Sequence, residues 1–527
     1  MMKLSKRLTA LLMALALMLT GAAALAEQAP VMPLTPQLVY DRGGAIETEV
    51  SLNVDAASVS GLVALFGGGQ QDEATSSIVD TVLSAVNKLK IKTVGNMANT
   101  FMTIGTDAGK LIDLQGVVNT ELGDFAITTS LLPGIKLNLP QEMVKTMLSS
   151  QQQMSQQGAQ MLALTATYGA AVTEYFTKNI APAAQLVNEP VEVAGVGSFD
   201  NQVSFLLDNK TLAGMMNAVL DVFKQDSQTQ QLLDDYLKTV ATQQAALTNA
   251  EAAAATEGIS MGSSDAPKDS KELIAQVDKA IANLNAEGDK KLANVAVLTS
   301  AASNATYVTM ETLGSKGNAE AYITTLVTPT ATGSDIKLEL LAGVPSAQVS
   351  DGTATPDPAA EPAKVDWATL KAGVMDGSNY ESTYVTADIS HSADAASNVM
   401  NTGFDLSARM MGMVFGLNAK GSNSLAGEYA SDAQIALSFM TPSPLVTINI
   451  KSAEAKEVPA APVMDSLKAV TLSDKISDED NQQLTEVLTK EGLPQLLENM
   501  KTALPEESAL LIPMIQQSMS PAPTQAN

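Results

Sequence analysis

His391 is the only histidine in the 527 residues, and there is no cysteine. Those two counts remove most familiar catalytic centres. An H-E-x-x-H zinc pair, a multi-histidine metal site and a cysteine cluster all need ligands this chain lacks. A Ser-His-Asp triad would have to use His391, set in Asp388-Ile389-Ser390-His391-Ser392, and no G-x-S-x-G elbow presents a serine to it. His391 reads as a polar surface residue at a strand end. Ser334-Asp335-Ile336-Lys337 has the S-x-x-K spacing by which a lysine activates a serine across one helical turn. A period-two strand carries it here, so the two side chains do not share a helical face. Neither K-T-G nor S-D-N accompanies it, and the match is set aside.

Carboxylates are the chemistry that remains. Asp234-Asp235 and Glu506-Glu507 fall on helical segments, where adjacent residues do not face one another, so both pairs read as solvated. A glycosidase needs two convergent acids about 5 to 10 Å apart. Its sugar cleft wants stacking aromatics, and Trp367 is the single tryptophan. Asp351-Gly352 and Asp376-Gly377 read as turns, and no D-x-D-x-D-G loop announces calcium. Gly67-Gly68-Gly69 lacks the Gly-Lys-Ser/Thr ending of a phosphate loop. The residues therefore predict no catalytic group, no cofactor and no metal site. A hydrolase using carboxylates alone ranks last among the function classes.

The elements are better marked than the chemistry. Val191 to Val240 reads as a strand running into a long helix. Val203, Phe205 and Leu207 alternate with Gln202, Ser204 and Leu206. Asp208-Asn209-Lys210 turns the chain, and Thr211 is expected to cap the helix. Leu212, Met215, Met216, Val219, Leu220 and Phe223 follow at i, i+3, i+4, i+7, i+8 and i+11, one apolar stripe. If the protein holds an apolar ligand, this stripe is the expected place. The Met-rich composition, 25 residues with aromatics at 4%, suits pliable core filler.

Ahead of that stretch, Ile46, Thr48, Val50, Leu52 and Val54 alternate with Glu47, Glu49, Ser51, Asn53 and Asp55, predicting a strand with one buried and one wet face. Ile78, Val79, Val82, Leu83, Val86 and Leu89 mark an amphipathic helix, and 91–139 a strand meander. Residues 141–188 read as two helices begun by Met143, Val144, Met147 and Leu148. Residues 241–268 read as a helix tail and linker, followed by a short helix with Leu273, Ile274, Val277, Ile281 and Leu284. Strands follow at 291–299, 305–313, 319–328 and 335–343. A Pro-rich loop or linker, 345–364, leads to a second strand series, 380–451, and C-terminal helices over 461–519. There Ser477 with Asp480 resembles a capping box, Gly492 suits a helix stop, and Pro494 and Pro505 suit first turns. Thr100-Phe101-Met102-Thr103, Thr306-Tyr307-Val308-Thr309 and Thr383-Tyr384-Val385-Thr386 share a Thr-aromatic-x-Thr core, the trace of a duplicated unit or of strand propensity alone.

Residues 1–26 read as a secretory signal, with Lys3, Lys6 and Arg7, an apolar run from Leu8 to Leu19, and Ala24-Leu25-Ala26 as the cleavage site. No later run is long enough to span a membrane, so no transmembrane anchor is expected in the mature chain. Export without cysteine means a fold held by packing alone, in a pattern that looks bacterial. The formal charge is −26, or −29 once those three cations are removed, and Arg42 and Arg409 are then the only arginines. Such a surface argues against nucleic acid and phosphate recognition.

Strands wrapping apolar helices on an exported chain resemble the half-barrel carriers of the LolA and LppX type. The resemblance rests on Val191 to Val240 and the flanking strands. It implies a curved antiparallel sheet closing over helices, with a lipid or lipoprotein held in an apolar cavity. The order of elements is also similar to that of exported proteins of Gram-positive gut bacteria. The expected fold is α+β, with large curved antiparallel sheets, half-barrel-like, packed on amphipathic helices. One unit is expected over 27–289 and a second over 290–520, ahead of a tail at 521–527, unless the strands after 290 complete the first sheet. The expected function is a non-catalytic structural or interaction protein of the bacterial cell envelope or exterior, with an envelope protein as partner. The alternative is a carrier for an apolar small molecule or lipid.

Overall fold

The computed structural model describes residues 33–66, 73–96, 98–119, 124–139, 168, 170–235, 237–238, 267–314, 319–330, 332–343, 367–379, 382–394, 396–410, 413–440, 443–457, 460, 464, 466–472 and 476–519. The signal segment, Gly67-Gly68-Gly69, the helix begun by Met143, nearly all of 241–268, the Pro-rich 345–364 and the tail 521–527 lie outside the described residues.

In chain order the first elements are α1 (Pro36–Asp41), β1 (Ile46–Val54), α2 (Ala56–Phe66) and α3 (Glu73–Lys88). Strands β2 (Lys90–Gly95), β3 (Asn99–Gly105), β4 (Lys110–Asn119), β5 (Asp124–Thr129) and β6 (Ile135–Leu139) form the expected meander. Next come β7 (Gln185–Val187), β8 (Val191–Val193), β9 (Gly197–Phe199), β10 (Asn201–Asp208), α4 (Asn209–Gln225) and α5 (Ser270–Ala286). Strands β11 (Lys291–Thr299), β12 (Thr306–Leu313), β13 (Ala319–Thr330) and β14 (Gly333–Ala342) precede α6 (Trp367–Asp376). The long strands β15 (Thr383–Asp394), β16 (Val399–Met410), β17 (Met413–Ser424), β18 (Ala430–Phe439) and β19 (Pro444–Glu454) follow. Last come β20 (Lys468–Thr471), α7 (Asp478–Val487), α8 (Leu493–Ala503) and α9 (Ser508–Met519). The class is α+β; the ladders described below are antiparallel, except that β20 runs parallel to β6.

The described chain divides into two compact units. The first lies within 157–329 and 334–384. Its sheet runs β7, β10, β11, β12, β13, so the strands after 290 do continue the sheet of 201–208. Gly343 N–H donates to the Glu320 carbonyl at 3.3 Å, tying the end of β14 to β13. Helix α4 starts one turn earlier than expected. Its cap is Asp208, whose carboxylate accepts from Thr211 N–H at 2.7 Å. An acid there faces the positive end of the helix dipole, which a threonine cannot exploit. One sheet face packs on α4 through Leu207, Leu212, Met215, Val295, Val308 and Ile323. Ala213 and Leu220 meet Ile281 of α5. The other face carries the β8–β9 hairpin, with Phe199 stacked on Tyr307 at 5.8 Å, and α6, with Leu370 and Val374 against Leu341 and Tyr384.

The second unit lies within 30–156, 330–333 and 385–527. Its described ladder runs β16, β17, β18, β19, β1, β2, β3, β4, β5, β6, β20. Helices α3, α8 and α9 build a core with β4, in which Ala85, Leu111, Met500, Ala503 and Leu504 are buried. Gly492 does not stop a helix. It lies in a π-helical turn, Leu488–Gly492, that leads straight into α8. Its role is close approach: a Cβ there would land on the Leu131 carbonyl oxygen. Pro494 does occupy the first turn of α8.

Candidate functional site

The α4 stripe is core. Leu212 is 0% exposed, Met215 1% and Leu220 4%, while Met216, Val219 and Phe223 are partly buried against the same clusters. Leu212 and Met215 are thus close-packed by protein atoms.

Among the described residues, a second apolar surface is less completely buried. In a ladder, residues directly opposite share a face, so the second unit's register can be followed across strands. Leu406 opposes Leu417, then Leu437, Val446 and Val54. One step along, Phe404 opposes Ala419, then Ile435, Ile448 and Leu52. Phe415 opposes Phe439 with ring centroids 5.2 Å apart. Ala433, Ile450, Val50, Ile91 and Ile104 continue the row toward β3. These side chains are partly exposed, and Leu437 reaches 44%, Met410 42% and Ile91 37%. Among the described residues, none of those on β16 to β19 belongs to a core cluster.

The expectation that Val50, Leu52 and Val54 are buried is corrected here. In β1 only Ile46 is buried, and Val50, Leu52 and Val54 are partly exposed. The opposite face is mostly polar in this region. Asn418 donates to Asp405 at 2.6 Å and Gln434 to Asn449 at 2.9 Å. Lys92 and Lys90 lie 3.2 and 3.7 Å from Glu49, and Lys90 lies 2.7 Å from Asp107. On the apolar face the polar residues gather at one end, where Thr48 and Ser452 share a hydrogen bond at 2.9 Å and Glu454 pairs with Arg42.

Two polar clusters escape sequence reasoning. Glu507, expected to be solvated, is 3% exposed. Its Oε1 accepts from Lys88 and, at 2.6 Å, from Ser84 Oγ–H. Burial alone would raise its carboxyl, but the bonds from Lys88 and Ser84 outweigh that and hold it below the usual range. Hydrogen bonding to Glu507 raises Lys88 in turn. An ammonium so held is no general base for Ser84, and an ionised carboxylate is no proton donor. Ser76, Ser77, Asp80, Thr81, Ser84 and Glu506 line an open groove beside it. Among the described residues, no group of acids and histidine is arranged to hold a metal ion.

In the first unit, Trp367 does not stand alone. It stacks on Tyr322 (5.4 Å, 15°), and its Nε1–H donates to Glu311 at 2.9 Å. Lys371 donates to Glu339 at 3.0 Å and sits 4.9 Å above the Tyr384 ring. Burial would raise Glu339, but Lys371 and Lys337 hold it low, the wrong direction for a glycosidase acid. Burial pushes Tyr307 and Tyr322 up, so both stay protonated hydrogen-bond donors. This cluster fastens α6 to the sheet. The period of two marked each strand separately, but the pairing that sets Glu311 opposite Tyr322 was not readable in the sequence.

Fold and surfaces define a cysteine-free α+β protein with an apolar sheet face. No protein-family model, no curated protein and no solved structure matches the chain.

Proposed function

We propose that the chain is an exported, non-catalytic structural or interaction protein of the bacterial cell envelope or exterior, and that it works through the apolar face carried by β16–β19 and β1. The observation that supports this reading is the contrast between two apolar surfaces. The α4 stripe is filled by protein, with Leu212 at 0% exposure, whereas Leu437, in the middle of the other surface, is 44% exposed. Contiguous apolar patches beyond a few hundred Å² mark interaction sites on soluble proteins. In this reading the long ladder of the second unit curves into a half-barrel-like wall, as twist favours in sheets of about ten strands or more.

Native mass spectrometry of the chain, purified without detergent from an exporting host, tests the reading. A clean protein mass, unchanged after incubation with envelope lipids, is expected. A reproducible small-molecule adduct that disappears on organic extraction would replace this reading with that of an apolar-ligand carrier.

A further inference from the structure

We propose that the groove between α3 and the start of α9 binds a small hydroxylated ammonium, an amino sugar or amino alcohol, on the carboxylates of Glu507 and Asp80. Helix α3 carries a polar stripe beside its apolar one. Ser77, Asp80, Thr81, Ser84 and Lys88 recur at i, i+3, i+4, i+7 and i+11. The first four of these, with Ser76, Glu506 and Glu507, line an open groove of about 480 Å³. That volume lies within the roughly 300–1,000 Å³ of small-molecule sites. Each lining residue carries a hydroxyl or a carboxylate, so polar groups must do the holding.

The protons of this groove are already committed. Thr81 Oγ1–H donates to the Ser77 carbonyl at 2.8 Å, and Ser84 Oγ–H to Glu507 Oε1 at 2.6 Å. A hydroxyl has one proton, so both oxygens offer a ligand lone pairs only. Glu507 is 3% exposed, and among the described residues its Oε2 has no hydrogen-bond partner. A buried carboxylate oxygen without a donor is costly, and a bound N–H supplies one. Lys88 pairs with Glu507 and lies 3.5 Å from Glu506. Three carboxylates against one ammonium still leave negative charge over, which favours a cationic donor to a neutral one. A hard metal ion fits less well. Lys88 and Ser84 already hold Oε1, so Glu507 cannot clamp a cation with both oxygens. Among the described residues the acids form no metal-holding group.

Isothermal titration calorimetry of the full chain tests the site with glucosamine, at a pH where its amine is protonated, beside glucose and calcium chloride. Glucosamine is expected to bind, and glucose about 10-fold more weakly or less, because it lacks the charged donor. Glu507→Gln, Asp80→Asn and Thr81→Val are each expected to weaken glucosamine. Glu498→Gln, on an exposed part of α8 outside the groove, is expected to leave it unchanged. Circular dichroism checks the fold of each variant. Asp80 is exposed, so Asp80→Asn keeps the test open even where Glu507→Gln unfolds the chain. No glucosamine binding, equal binding of glucose, or binding indifferent to both Asp80→Asn and Thr81→Val overturns the proposal. Calcium that displaces glucosamine and is itself lost in Asp80→Asn makes the groove a metal site and overturns it too.

Discussion

Lys88, at the end of α3, and Glu507, at the start of α9, form an ion pair in which the ammonium is 41% exposed and the carboxylate only 3%. Their asymmetry sets a pH dependence. A carboxyl held below its unfolded value contributes stability that is complete above that value, about 4.3 for glutamate, and is lost as pH falls through the lower folded value. Lys88→Met leaves a buried carboxylate without its cation, so its carboxyl rises and the loss sets in at higher pH. Urea melts from pH 7 to pH 3 should show the variant weakening before the parent. Superimposable pH profiles would mean that the pair adds no stability.

Glu507 also marks where sequence reasoning stops. Adjacency on a helix excludes Glu506 as its partner, and that much was sound. The partner that decides its burial lies 419 residues away, beyond any local pattern. The α4 stripe was legible because periodicity reports which face is covered. Whether protein or ligand covers it depends on the facing strands, here Val295, Val308 and Ile323. The alternation of β1 was equally legible and its cover was not. A period of two distinguishes faces, and Val50, Leu52 and Val54 turned out to lie on an apolar one that is only partly shaded.

Met215→Ala tests the packing of α4. Met215 is 1% exposed within the largest core cluster of the first unit. Truncation removes buried methylenes and leaves a cavity, at a cost of about 2–5 kcal/mol. Thermal unfolding should fall by several degrees. A loss below about 1 kcal/mol would mean that the site is loosely packed and has room for a ligand after all.

Asp208→Ala tests the corrected start of the same helix. The carboxylate satisfies Thr211 N–H, and loss of such a cap costs about 1 kcal/mol. Thr211→Ala should cost less, since Thr211 contributes only its backbone N–H to that bond. Equal losses in chemical denaturation would return the cap to Thr211.

Trp367 is the only tryptophan, so its fluorescence reports on one place, the contact of α6 with the sheet. Its indole N–H is bonded to Glu311 and its ring lies against Tyr322. Tyr322→Leu removes the stacked ring and admits water to one side of the indole, so emission should move to longer wavelength. Gln at position 311 keeps an acceptor and should shift it less than Ala. Denaturant titration followed by this emission alone reads the first unit, while far-ultraviolet dichroism reads both. If Tyr322→Leu leaves the emission unmoved, the ring pair does not shield Trp367, and Leu341, Leu370 and Val374 alone hold α6 in place.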